Sequence, residues 1–274
     1  MSTLTRPDVP ATTTTPVPDL VPVVPGRAPA GLANLVRKEL GQWFGTRLWA
    51  VQLVLWVLIL NGITTAVMLD PSMPAGDVLA EAVLTFLQVA AALVAIGVVL
   101  TTQGAIIGER ELGTAAWVLS KPASRTSFLA AKLTAHLTGF GLLALAIPAI
   151  VFAVTVGQVV VAPMATGRFA LGVAVAGLAV VFYLVLTLAL GTVFRGRGPV
   201  AGVGVGLVLA GLLLKGMLPP TLVVMTPWLL GDVGASLALG TTMEVSRATP
   251  IVATSTWTVL LLVLAWRRFR REEF

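Results

Sequence analysis

Long apolar runs alternating with short polar breaks dominate the chain after residue 30. Leu32, Leu35, Val36, Leu40, Trp43 and Phe44 recur at helical spacing opposite Asn34, Arg37, Lys38 and Gln42, which predicts an amphipathic helix over 30–47 lying in a membrane interface. Runs almost free of charge then predict six membrane-spanning helices: 48–69, 78–107, 126–156, 169–194, 200–218 and 249–266. Asp70-Pro71 stops the first and Asp77 caps the second, whose length carries its inner end beyond the bilayer. Pro148 bends the third, and residues 157–167 form an outer loop. Between spans five and six, Pro219-Pro220, Pro227-Trp228 and Gly231-Asp232 cut 219–248 into pieces too short to cross, so outer re-entrant segments are expected there.

Composition supports this pattern. The chain has 274 residues, 57% of them hydrophobic and 11% charged, and its mean hydropathy is +0.97. A soluble domain carries about 25% charged residues, so the fold expected is an all-α membrane protein. Residues 1–29 are rich in proline and threonine and are expected to be a disordered cytoplasmic tail. Ala28-Pro29-Ala30 imitates a signal-peptidase site, but prolines break the stretch before it and no cleaved signal is expected.

The net charge of +6 could suggest nucleic acid, yet the cations collect at the ends of apolar runs and topology accounts for them. With both termini in the cytoplasm, 15 of the 18 lysines and arginines fall inside. Five precede the first span, four lie between Arg110 and Lys132, two are Arg195 and Arg197, and four stand in the basic C-terminal tail, 267–274. The positive-inside rule therefore sets the orientation. Arg168, Lys215 and Arg247 remain at or near the outer face.

Residues 108–128 form the most charge-dense, motif-like break, a cytoplasmic elbow between the second and third spans. Glu109, Arg110 and Glu111 alternate in sign, Gly113 permits a turn, and Thr114 can cap a short helix carrying Trp117, Val118, Leu119 and Ser120. Lys121-Pro122 ends that helix, and Ser124 can cap the next, whose first turns hold Arg125, Phe128 and Lys132.

This run, E-R-E-x-G-T followed by a short apolar helix, S-x-P and S-R, resembles the first cytoplasmic loop of type 2 ABC transporter permeases. The resemblance implies that Thr114–Ser120 is a coupling helix docked on a separate ATPase, with Glu109, Arg110, Glu111, Gly113, Thr114, Trp117, Leu119, Ser120, Pro122 and Arg125 at the joint. It also implies that Arg37, Lys38, Glu39 and Trp43 on the interfacial helix approach that ATPase, and that Pro227, Trp228 and Asp232 contribute to an outer gate. The chain would then be the permease of an ATP-driven exporter, paired with a second copy or a paralogue. ATP and Mg are expected on the ATPase, and no cofactor, metal or nucleic acid in this chain.

Within the sequence itself no Walker phosphate loop, G-x-S-x-G elbow or H-E-x-x-H occurs, and there is no cysteine. An enzyme is not expected. His136, the single histidine, is read as a helix-contact residue rather than a proton relay; Asn61, Gln88 and Gln103 are read as interhelical hydrogen-bonding groups, with the lining of a pathway as the alternative. Gly198, Gly202 and Gly206 are expected to let helices approach within the subunit, with a subunit interface as the alternative. Glu109 and Glu111 have two sets of possible partners, cations of the ATPase or Arg37 and Lys38. A secondary transporter or channel remains as an alternative, as does a non-transporting scaffold driven by the same ATPase.

Overall fold

The computed structural model describes residues 31–111, 124–160 and 164–271, and every regular element among them is helical. Helix α1 (Leu32–Phe44) precedes α2 (Leu48–Met68). Next, α3 (Val78–Thr102) passes through one turn into the short α4 (Ile107–Glu111). Helix α5 (Arg125–Phe140) runs through a π-helical segment, Gly141–Ala146, into α6 (Ile147–Val159). The longest is α7 (Thr166–Val193), followed by α8 (Arg197–Leu214) and the four-residue α9 (Pro220–Val223). A 3₁₀ turn at Pro227–Leu229 leads into α10 (Leu230–Leu239), and α11 (Ala248–Arg271) closes the described chain.

Six of these runs are long and apolar enough to cross a membrane: α2, α3 with α4, α5 with α6, α7, α8 and α11. They coincide with the six expected spans, with shifted ends. Gly157 and Gln158, expected in a loop, belong to α6, and Arg267–Arg271, expected in a tail, continue α11. Asp77 does occupy the N-cap of α3, but its backbone is already helical (φ −99°, ψ −16°) and its side chain caps nothing. By contrast, Ser124 caps α5 as expected, its hydroxyl accepting from the Ser127 N–H. Asp70 ends α2 by accepting from the Ser72 N–H and hydroxyl at 2.8 and 2.7 Å, which hold its carboxyl below the ordinary carboxylate value.

The irregularity expected at Pro148 takes a specific form. Proline has no N–H and its ring crowds the carbonyl four residues earlier, here Ala144. That carbonyl lies inside the π segment, whose wider turn relieves the clash. Asn61 of α2 donates both to the Val57 carbonyl and, at 3.3 Å, to the Pro148 carbonyl. The broken helix is thus fastened to its neighbour.

Helix α7 is the axis of the bundle, packed against α3, α10 and α11. Phe86, Phe152 and Phe169 stack between α3, α6 and α7 with centroids 4.5 and 5.2 Å apart. Helix α10 reaches α7 by glycine-to-glycine contact. A Cβ added to Gly172 would lie 2.5 Å from the Gly234 carbonyl oxygen, and one added to Gly234 2.6 Å from that of Gly172. Peripheral α2, α8 and α11 present Val54, Leu58, Leu213, Val259 and Leu260 outward. Such exposed apolar faces suit lipid.

One expectation is overturned. Nothing lies within 4 Å of a Cβ placed on Gly198, Gly202 or Gly206; the glycines of α8 that meet the rest of the chain are Gly204, against Val99, and Gly211, against Trp228. Four-residue spacing keeps Gly198, Gly202 and Gly206 on one face, but spacing cannot say whether that face points inward.

Candidate functional site

Two polar clusters stand at opposite ends of the bundle. The first forms where α1 lies across α5, beside α4. Lys132, two turns into α5, extends its Nζ to within 3.1 Å of Glu39 Oε1 and 3.3 Å of Glu109 Oε1. Lys38 Nζ closes on the same Glu109 oxygen at 3.3 Å. The charges thus alternate Glu39, Lys132, Glu109, Lys38. Side chains of Lys132 and Glu39 are each 4% exposed, whereas that of Lys38 is 43% exposed. Two such buried charges are tolerated only because each has a close partner of opposite sign.

Trp43 secures the other end of α1. Its indole N–H donates to His136 Nδ1 at 3.2 Å, and its ring meets Phe140 edge-on at 4.9 Å. An indole can only donate, so His136 serves as acceptor at that nitrogen. The ring fits because residue 139 has no side chain: a Cβ on Gly139 would lie 2.4 Å from the indole. His136 is therefore a contact between α1 and α5.

Successive residues of a helix point about 100° apart, and α4 uses this to reach three neighbours at once. Glu109 turns to α1 and α5. Arg110 donates to the Phe194 carbonyl at the end of α7, at 3.3 Å, and Glu111 pairs with Arg197 in the first turn of α8 at 2.8 Å. Across the gap, Arg125 donates to the Arg270 carbonyl at 2.6 Å and to that of Phe269 at 3.4 Å. Residues 112–123 are thus bracketed by two fastened helix ends. Gly113, Thr114, Trp117, Leu119, Ser120 and Pro122, with the short helix expected there, lie outside the described residues. Arg37 is exposed on α1.

Sequence reasoning named Glu109 and Lys38 as possible partners but missed the central role of Lys132 and the pairing of Arg197. Lysine embedded in an otherwise apolar helix was the available signal, because such a residue needs a partner.

The second cluster lies where α10 meets α3 and α8. Asp232 Oδ2 pairs with Lys215 Nζ at 2.8 Å, and its Oδ1 accepts from Gln88 Nε2 at 2.7 Å. Trp228 donates from its indole N–H to the Leu207 carbonyl at 3.0 Å, its ring seated on Gly211. Thr226 caps this turn by accepting from the Trp228 N–H. Pro227, Trp228 and Asp232 share one half-open cleft of about 380 Å³ with Lys215 and Gln88. Its other walls are largely apolar.

Both clusters tie separate helices together through ion pairs and hydrogen bonds, and neither sets a nucleophile against a base. Across residues 33–274 the chain matches the family model described as ABC-2 family transporter protein. No curated protein matches it.

Proposed function

Because the chain belongs to the ABC-2 transporter family and is a multi-pass membrane protein with six candidate spans, we propose that it is the permease subunit of an ATP-driven exporter. Positive-inside bias puts its termini, α1 and α4 at the cytoplasmic face. A separate ABC ATPase, which binds ATP and Mg, docks on residues 112–123. The observation that carries this reading, besides the family, is the bracketing of that segment: Glu109, Arg110 and Glu111 on one side and Arg125 on the other connect it to α1, α5, α7, α8 and α11.

Force applied to the segment by closure of the ATPase reaches these helices together. Glu109 passes it to α5 through Lys132, and Glu111 passes it to α8 through Arg197. Gly113 is the hinge and Trp117 the apolar knob on the ATPase; Thr114, Leu119, Ser120 and Pro122 shape the coupling helix. Arg37 and Lys38 face the ATPase from α1, while Glu39 and Trp43 hold α1 in place. A second permease copy packs on the open glycine face of α8, enclosing the pathway. At the outer end, the re-entrant α9 to α10 segment is held shut by Asp232, Lys215 and Gln88 and moves to release substrate.

Affinity purification of the tagged chain from its native membrane in mild detergent tests this reading. A stoichiometric Walker-motif ATPase, with ATP hydrolysis, is expected to copurify. Replacing Gly113 with a bulky residue, or Trp117 with alanine, is expected to break the association or uncouple hydrolysis while the chain still inserts. Recovery of the chain alone and without ATPase activity in several detergents would overturn it.

A further inference from the structure

The first turns of α5 and the last turns of α11 leave a groove between them on the outside of the bundle. Its volume is about 330 Å³, within the roughly 300–1,000 Å³ of small-molecule pockets. Leu129 and Leu133 form one wall and Leu262, Val263 and Trp266 the other. The polar group in the lining is the Thr126 hydroxyl, and it already accepts from the Trp266 indole N–H at 3.0 Å. An occupant therefore needs an aliphatic body.

The mouth has the opposite character. Arg270 holds its guanidinium 4.8 Å over the Trp266 ring, and Arg267, one helical turn beyond Val263 on the same face of α11, is exposed. Arg125 fixes this corner by donating to the carbonyls of Phe269 and Arg270. Tryptophan at the boundary between an apolar span and an arginine-rich end sits at headgroup depth. At that depth the neighbour of an outward-facing groove is lipid, and two exposed guanidiniums select a negative headgroup over a zwitterionic one.

We propose that the groove between α5 and α11 binds an anionic phospholipid of the cytoplasmic leaflet, an acyl chain lying between Leu133 and Val263 and the phosphate meeting Arg267 and Arg270. This rests on the cytoplasmic orientation given above, but not on ATP coupling. Bound lipid would brace α11 against the helix that leaves the coupling segment.

The full-length chain, copurified with whatever subunits accompany it, is placed in nanodiscs of equimolar phosphatidylcholine and phosphatidylglycerol and released for native mass spectrometry. Phosphatidylglycerol is expected to be retained preferentially. About fivefold of that preference is lost for each of R267Q and R270Q, from the roughly 1 kcal/mol that each basic residue contributes. Leu133→Trp, which fills the groove and leaves both arginines, is expected to abolish retention. Displacement of the lipid by inorganic phosphate at constant ionic strength would mean a site for free phosphate, and would overturn the proposal. So would equal retention of both lipids, no change in R267Q/R270Q, or an equal loss in Arg47→Gln, an exposed arginine at the same end. The readout is lipid alone, so it can fail while the ATPase copurifies, and succeed where it does not.

Discussion

At the scale of single residues, Lys132 joins α5 to both α1 and α4, as Glu109 does from α4, and it is the more deeply buried of the two. Substituting it with methionine leaves the buried Glu39 carboxylate without its partner, and breaking a buried pair from one side costs about 3–5 kcal/mol. Thermal unfolding of K132M in detergent is expected to show that loss, and E39Q/K132M should recover much of it. Lys38→Ala removes a charge that is 43% exposed and is expected to cost about 0–1 kcal/mol in the same assay. Equal losses in the two single variants would contradict the alternating chain of charges. Part of this joint was legible: Lys38 was among the named candidates for Glu109, because an interfacial helix and an elbow both rich in charge meet at one membrane face. That Glu39 points inward was not legible, since polar identity alone does not say which side of α1 is covered by α5.

Among elements, α10 depends on two glycines that face each other across a backbone contact. Gly172→Ala or Gly234→Ala would thrust a methyl into a carbonyl oxygen of the opposing helix, a clash of the kind that costs about 1–3 kcal/mol and occasionally more. The natural chain has no cysteine, so Ser236→Cys introduces a single thiol, at a buried position of α10. Its reaction with a maleimide is expected to accelerate several-fold when either alanine is present. Unchanged labelling would mean that α10 is held by other contacts. Prolines announced that 219–248 would be short pieces, and Pro148 announced a break in the third span. The sequence did not announce that the break would be a π segment fastened by Asn61, because its register is settled by where Ala144 and α2 lie. Nor did it pair Asp232 with Lys215, 17 residues away on another helix.

For the whole molecule, the testable quantities are orientation and association. Single cysteines at the exposed Ser72 and Thr242 are expected to react with a membrane-impermeant maleimide on intact cells, and those at Thr46 and Arg195 only after permeabilisation. The reverse pattern would invert the proposed topology and put the proposed ATPase joint on the wrong side. A Cβ on the exposed Gly202 meets nothing within 4 Å, so Gly202→Trp should leave insertion and unfolding temperature near those of the natural chain, while the fraction in the proposed dimer, measured by light scattering, falls. A dimeric fraction that does not change would mean that the proposed second copy does not sit on this face.

The number of spans, their order and the bias of positive charge were determined by the sequence alone. Burying about twenty apolar residues is a local requirement that each segment meets by itself, and charge at its ends needs no knowledge of neighbours. Beyond the pairing of Lys38 with Glu109, tertiary structure alone decided which polar residues found one another, and which face of α8 was left open. Lys132 with Glu39, Asp232 with Lys215, and the contact of Gly172 with Gly234 rather than a Gly198–Gly206 seam all depend on how helices are rotated against each other. Helices with apolar residues on every side carry little record of that rotation, because lipid and protein interior are almost equally good solvents for an aliphatic side chain.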